Sequence, residues 1–176
     1  MKHILIVVDM QKDFVDGALG TPEAQAIVGR VCERIRTHDG ALIVTYDTHP
    51  EHYMQTNEGS HLPVPHCIKG TDGWRLDARV ATALGGRDYT AVEKPTFGSV
   101  ALPALVRELA GDEAFDIELI GLCTDICVIS NALLLKAHFP EAEIFVDASA
   151  CAGVSPQTHA AALTTMGCCQ IQIKNA

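Results

Sequence analysis

The amino-acid sequence predicts an α/β fold, a three-layer α/β/α sandwich around a mainly parallel six-stranded sheet. Three observations predict it: short runs rich in Val and Ile recur along the chain, segments of helical periodicity separate them, and Pro and Gly fall between the two as punctuation. The first strand is predicted at 4–8. A helix over 22–38 follows, opened by Thr21-Pro22, where a hydroxyl can cap free N–H groups and proline suits the first turn. The second strand is predicted at 41–46 and the second helix at 75–84. Strand 89–92 leads to helix 100–110, with Ser99 as its start signal. Strand 117–120 then passes into helix 127–138, strand 144–146 into helix 156–166 behind Ser155-Pro156, and 171–173 is the last strand. Strand, helix, strand, repeated, implies right-handed crossovers and a sheet covered on both faces. The stretch 49–73 has no such periodicity and is rich in His, Pro and Gly; a loop of that length in a compact domain is functional or disordered.

The chain has 176 residues, 48% of them hydrophobic, which fits a single domain over 1–176 that buries about 70% of its unfolded surface. No basic segment with a following apolar stretch opens it, and no apolar run reaches about 18 residues, so a cytoplasmic protein with no membrane partner is expected. Seven cysteines, an odd number at irregular spacing, argue for reduced thiols rather than a disulfide framework, with adjacent Cys168 and Cys169 structural. A net charge of −9 without a basic run excludes nucleic acid as a partner and points to a small molecule.

In doubly wound sheets, ligands sit beyond the carboxyl ends of the strands, where the strand order reverses. Four reactive residues fall on that rim: Asp9, Asp47, Lys94 and Cys127. Cys127 stands where an apolar strand gives way to a helix, and unpaired N–H groups at a helix start favour a thiolate, which can bring a cysteine below its free pKa of about 8.5. Asp9 closes ILIVVD, in surroundings dry enough for a general base. The loop DTHPEHYMQTNEGSHLPVPH adds Asp47, His49, His52, Glu58, His61 and His66, and its imidazoles and carboxylates suit zinc, iron or manganese.

With VVDMQKDF around Asp9, EKPTFGS around Lys94 and GLCTDICV around Cys127, in that order, the chain resembles the isochorismatase-like cysteine hydrolase superfamily, and within it the nicotinamidases most. The resemblance implies an Asp9, Lys94, Cys127 catalytic triad, an oxyanion hole from the backbone N–H groups of Cys123 and Cys127, and a cis peptide around Leu122-Cys123. It implies metal ligation by Asp47, His49, Glu58 and His66, with His52 and His61 as substitutes for the third ligand. The metal is expected to be zinc, with iron or manganese as alternatives, and to bind the substrate's pyridine nitrogen rather than to activate water. Phe14 and Phe97 are expected to flank a flat ring, with Trp74 as a further wall, and relatives of this kind form homo-oligomers. The activity implied is hydrolysis of nicotinamide to nicotinate and ammonia through a cysteine thioester. Two alternatives stand beside it: an amidase for another small amide, such as an N-carbamoyl or ureido compound, and a noncatalytic metal-binding protein or thiol redox sensor using Cys123 and Cys127.

Overall fold

Six parallel strands, β1 (Lys2–Val8), β2 (Ala41–Asp47), β3 (Thr90–Lys94), β4 (Phe115–Leu122), β5 (Glu143–Ala152) and β6 (Gln172–Lys174), form one sheet in the order β3-β2-β1-β4-β5-β6 in a computed structural model that describes residues 1–176. Seven helices connect them: α1 (Lys12–Val15), α2 (Pro22–Thr37), α3 (Asn57–His61), α4 (Ala78–Leu84), α5 (Leu102–Ala110), α6 (Ile129–His138) and α7 (Pro156–Cys168). No helix is long and apolar enough to cross a membrane.

Side chains alternate across a strand, so β1 feeds two cores. Leu5 and Val7 join Val44, Ile120 and Leu122 against Val28, Val31 and Ile35 of α2 and Val80 and Leu84 of α4. Ile4, Ile6 and Val8 join Ile117 and Leu119 against Val106 of α5, Ala132 and Leu135 of α6 and Met166 of α7. Each of residues Ile4 to Val8 is fully buried, which accounts for a continuous apolar run where a half-exposed strand would alternate. Burying each such side chain contributes roughly 1.5–3 kcal/mol.

The chain builds β1, β2 and β3 outward in one direction and β4, β5 and β6 in the other, so the order reverses between β1 and β4. Their carboxyl ends border the crevice where this architecture binds ligands. Gly121 is what lets the two strands meet there: its φ is +115°, and a Cβ would sit 2.1 Å from the Val8 carbonyl oxygen. In β5, a bulge displaces the register between the Leu119–Val146 and Gly121–Cys151 pairs. Within it the Asp147 carboxylate accepts from the N–H and the hydroxyl of Ser149.

The helix starts follow local chemistry. Thr21 accepts from the Ala24 N–H, and Ser155 and Thr158 form a reciprocal capping box at α7, as their positions predict. Ser99 does not cap α5. Its N–H donates to the buried Asn131 side chain, and the helix begins only at Leu102. Helix 75–84 shortens to α4 because Asp77 caps it, accepting from the Arg79 N–H. All seven cysteines are free; Cys168 and Cys169, expected to be structural, are exposed at the end of α7 and fill no core.

Candidate active site

The end of β1 is shaped around a carboxylate. Asp9 adopts a left-handed φ of +47°, uncommon outside glycine though tolerated best by Asn and Asp. That turn sends its side chain to Thr45 of β2, whose hydroxyl accepts from the Asp9 N–H at 3.2 Å and donates to Oδ1 at 2.6 Å. Oδ2 takes no well-directed hydrogen bond and faces Lys94 Nζ as an ion pair at 2.6 Å. Lys94, the last residue of β3, pairs in register with Asp47 of β2. Its ammonium also lies 3.2 Å from Asp47 Oδ1, 3.3 Å from Cys127 Sγ and 3.1 Å from the Thr96 carbonyl. Asp9 and Lys94 are completely buried, Cys127 nearly so.

Cys127 stands in a π-helical turn, Thr124–Val128, that leads into α6. The Cys123 carbonyl accepts from the N–H of Ile126 and of Val128, bypassing Cys127, and the Cys123 N–H makes no hydrogen bond within the protein. The Leu122-Cys123 peptide is cis, as the resemblance implies.

The charge state of the thiol departs from the helix-start expectation. Burial, and then the negative charge of Asp9, push Cys127 well above the ordinary cysteine value despite Lys94. Desolvation penalises the anion more than one short helix turn and one cation favour it. Burial also raises Asp9, against the pull of Lys94. For Lys94, burial acts downward, but Asp9, Cys127 and Asp47 outweigh it and hold the ammonium charged. The resting group is therefore a thiol beside a carboxylate of raised pKa, with a fixed cation touching both. A raised Asp9 is a better acceptor for the thiol proton than an ordinary carboxylate, and the ammonium offsets the charge on whichever of the two carries it.

Beside this triad, one ligand atom from each of Asp47, His49, Glu58 and His66 comes within 4.8 Å of all the others. His49 Nε2 is 2.9 Å from Asp47 Oδ2 and 3.6 Å from Glu58 Oε1, and His66 Nε2 is 3.6 Å and 3.8 Å from the same two oxygens. His66 Nδ1 bonds the Val64 carbonyl at 2.8 Å, which places its proton there and turns the Nε2 lone pair toward the cluster. Two carboxylates and two imidazoles converging in a buried corner fit a divalent metal. His52 and His61, the substitutes, lie outside the cluster: both are exposed, and His61 bonds Asn57 and Ser60.

Several residues that sequence reasoning passed over hold this corner. Gln11 donates to the carbonyls of Asp47 and Trp74 and accepts from the Asp47 N–H. Asp13 accepts from the Cys67 N–H, stapling the ligand loop to α1. Tyr53, fully buried, packs its ring 4.8 Å from His49 and 5.0 Å from His66. Glu58 is aimed by α3, whose start Thr56 caps. The available signal for Gln11 and Asp13 was a run of polar residues, QKD, two residues past the buried strand β1.

Comparison with known proteins shows the family. The family model for the isochorismatase domain matches residues 3–174. The chain belongs to the isochorismatase family. Among curated proteins, it is 31% identical to an uncharacterized isochorismatase family protein, PncA, of Bacillus subtilis, over 93% of each chain. It is 28% identical to the nicotinamidase/pyrazinamidase of Mycobacterium tuberculosis, over 96% of each. Among solved structures, the pyrazinamidase of Pyrococcus horikoshii in complex with zinc superposes with a TM-score of 0.82 at 28% identity, over 98% of both chains.

In this isochorismatase-family chain, Cys127 and three of the four clustered residues, Asp47, Glu58 and His66, open into one cavity of about 240 Å³. Cys127, Asp47, Glu58 and His66 line it on the polar side, and Phe14, Leu19, Leu62, Phe97, Ile126 and Val154 on the apolar side. Phe14 packs its ring 5.5 Å from that of His66, and Phe97 stands half-exposed. Trp74 is not part of this wall. It stacks on Tyr46 at 5.5 Å, donates its N–H to Thr48 and faces a separate surface groove with Tyr89. Leu19, Leu62 and Val154 take the apolar wall instead.

Proposed function

We propose that this chain is a nicotinamidase, hydrolysing nicotinamide to nicotinate and ammonia, with Asp9, Lys94 and Cys127 as catalytic residues. The observation that carries the reading is Lys94 Nζ, 3.3 Å from a buried thiol and 3.2 Å from the Asp47 carboxylate, with thiol and carboxylate lining one small apolar cavity. A flat ring with an amide on one side and a nitrogen lone pair on another matches that pairing of groups. The nicotinamidase and pyrazinamidase relatives support the same substrate class.

In this mechanism, Asp9 takes the Cys127 proton as the sulfur attacks the amide carbon. The N–H groups of Cys123 and Cys127 receive the developing oxyanion, the first of them free of any protein partner. As the tetrahedral adduct collapses, Asp9 returns its proton to the departing nitrogen, ammonia leaves and a thioester remains. Asp9 then deprotonates a water that adds to the thioester carbonyl. Collapse expels the Cys127 sulfur, which recovers the proton from Asp9, and nicotinate is released. Lys94 stays charged throughout and offsets whichever of Asp9 and Cys127 carries the negative charge. Asp47, His49, Glu58 and His66 would hold a zinc ion, which when bound supplies an electrophilic site for the ring nitrogen and so orients the amide toward the thiol. Phe14 and Phe97 flank the ring.

Ammonia release from nicotinamide by the zinc-loaded protein tests the reading, with Cys127→Ala as control. No release at millimolar substrate sinks the substrate; release that survives the substitution sinks the mechanism.

A further inference from the structure

The turn that carries Cys123 and Cys127 is tied to the opposite cavity wall at two points, by side chains that do not themselves line the cavity. Asp125 accepts the Val154 N–H with both carboxylate oxygens, at 3.2 and 3.1 Å. Thr124, fully buried, meets His159 Nδ1 of α7 at 2.8 Å through its hydroxyl. Between the two ties, a Cβ on Gly153 would come within 2.9 Å of the His159 N and 3.0 Å of its Cα, so the wall backbone rests directly on the first turn of α7. That turn is itself fixed by the Ser155 capping box and the His159 N–H to Ser155 carbonyl bond. Gly153 and Val154 line the cavity on one side of this contact, and Cys123 and Cys127 on the other.

We infer that Asp125 and His159 are positioning residues: Asp125 sets the distance of the Val154 wall from the thiol, and His159, through Thr124, sets the placement of the turn bearing the Cys123 and Cys127 N–H groups. The physical reason is tolerance. Donors to a developing oxyanion act only within a few tenths of an ångström of their station, and a π-helical turn next to a strand end has few backbone bonds of its own to keep it there. Asp125 makes its bond as a charge-assisted pair with an N–H, stronger than a neutral one. His159 reaches past the exposed surface of α7 to a hydroxyl with no solvent contact. Neither side chain can touch a substrate in the cavity, so each acts through backbone it holds.

This inference rests on Cys127 being the nucleophile. It is tested by steady-state kinetics of the full, zinc-loaded chain on nicotinamide. Asp125→Ala is expected to raise KM by about ten-fold with kcat within about three-fold, because the wall contributes to binding in ground and transition states alike. His159→Ala is expected to lower kcat by about ten-fold with KM within about two-fold, because the oxyanion forms only in the transition state. Asp125→Asn and His159→Asn, which keep an acceptor or donor at the bonding atom, restore most of each loss. Thr124→Val reproduces His159→Ala, and the double variant is no worse than either single, as for two halves of one bond.

Kinetic constants within about two-fold of wild type in either alanine variant overturn the inference, as do asparagine variants no better than alanine or losses that multiply in the double variant. Should His159→Ala fail to fold, Thr124→Val decides for that tie: lower kcat at unchanged KM supports the inference and unchanged kcat overturns it. Should Asp125→Ala fail to fold, Asp125→Ser, whose hydroxyl is one bond short of the Val154 N–H, decides for the other, with a raised KM supporting the inference and an unchanged KM overturning it. The rate of Cys127 alkylation by iodoacetamide, followed by mass spectrometry, separates this inference from the substrate reading. A rate altered in His159→Ala and recovered in His159→Asn supports the tie even if nicotinamide is not turned over, and equal rates in all three proteins overturn it.

Discussion

Lys94 Nζ and Asp9 Oδ2 lie 2.6 Å apart with both side chains wholly out of water. A buried pair of this kind gains little over an apolar substitute, yet breaking it from one side strands the other charge. The positive end here serves three partners at once, two carboxylates and a thiol, since Asp47 and Cys127 share the same ammonium. The arrangement is therefore a charge balance with catalytic consequences more than a source of stability.

Lys94→Met tests that balance. With the cation gone, Asp9 and Asp47 face each other in a dry site, and the variant is expected to lose about 3–5 kcal/mol of folding stability in urea titration. Amide hydrolysis falls at least about a thousand-fold. Adding Asp9→Asn to Lys94→Met restores part of the stability and none of the activity. If the double variant is no more stable than Lys94→Met, the stranded carboxylate is not the cause of the loss.

The two cysteines of the nucleophile turn separate cleanly by substitution. Cys127→Ala removes the reacting sulfur and reduces hydrolysis to background. Cys123→Ala preserves the backbone N–H and is expected to keep kcat within about three-fold of wild type. Loss of activity in Cys123→Ala comparable to that in Cys127→Ala would show that the Cys123 side chain, not its backbone, takes part.

The ligand cluster predicts a metal dependence of a particular shape. Glu58→Gln and His66→Ala are expected to lower divalent-metal content in elemental analysis and to raise KM more than they lower kcat, because in the proposed mechanism the metal orients the ring while sulfur does the chemistry. His52→Ala and His61→Ala retain full metal content. Removing the metal with a chelator is expected to lower the thermal midpoint of the wild type, since the folded cluster brings together four ligands that the unfolded chain holds apart. A kcat that collapses at unchanged KM on metal removal would move the ion into the chemical step.

These features were unequally legible in the sequence, for physical reasons. A fully buried parallel strand writes itself as an unbroken apolar run, so ILIVV and its counterparts gave the sheet, and the rim rule then placed Asp9, Asp47, Lys94 and Cys127 on one edge. Glu58 could be favoured over His52 and His61 on family spacing, and α3 is the device that turns it inward. Trp74 misled because nearness in sequence to the ligand loop says nothing of direction; its indole follows a hydrogen bond to Thr48 away from the cavity. A helix start that favours a thiolate is visible in sequence, whereas the burial that pushes the Cys127 thiol up is not. Asp125 and His159 were invisible as partners, lying on two elements that only the fold brings together.

Asp147 offers a pH test remote from the site. Burial acts to raise its pKa, but bonds from Ser149 and Asn175 and the charge of Arg30 outweigh burial and hold the carboxyl below its ordinary value. A depressed carboxylate stabilises the fold fully above its unfolded value of about 3.9, and that contribution is lost as pH falls through the lower folded value. Asp147→Asn keeps an acceptor for Ser149 and gives up the charge beside Arg30, so at neutral pH it is expected to cost about 1–2 kcal/mol. Below about pH 4 the gap narrows, because the carboxyl takes up its proton in the unfolded chain before it does in the folded one. Urea midpoints measured from pH 7 down to pH 3 check the sign: a gap that stays constant or widens on acidification would mean that the side chain's shape, and not its charge, is what the β5 bulge requires.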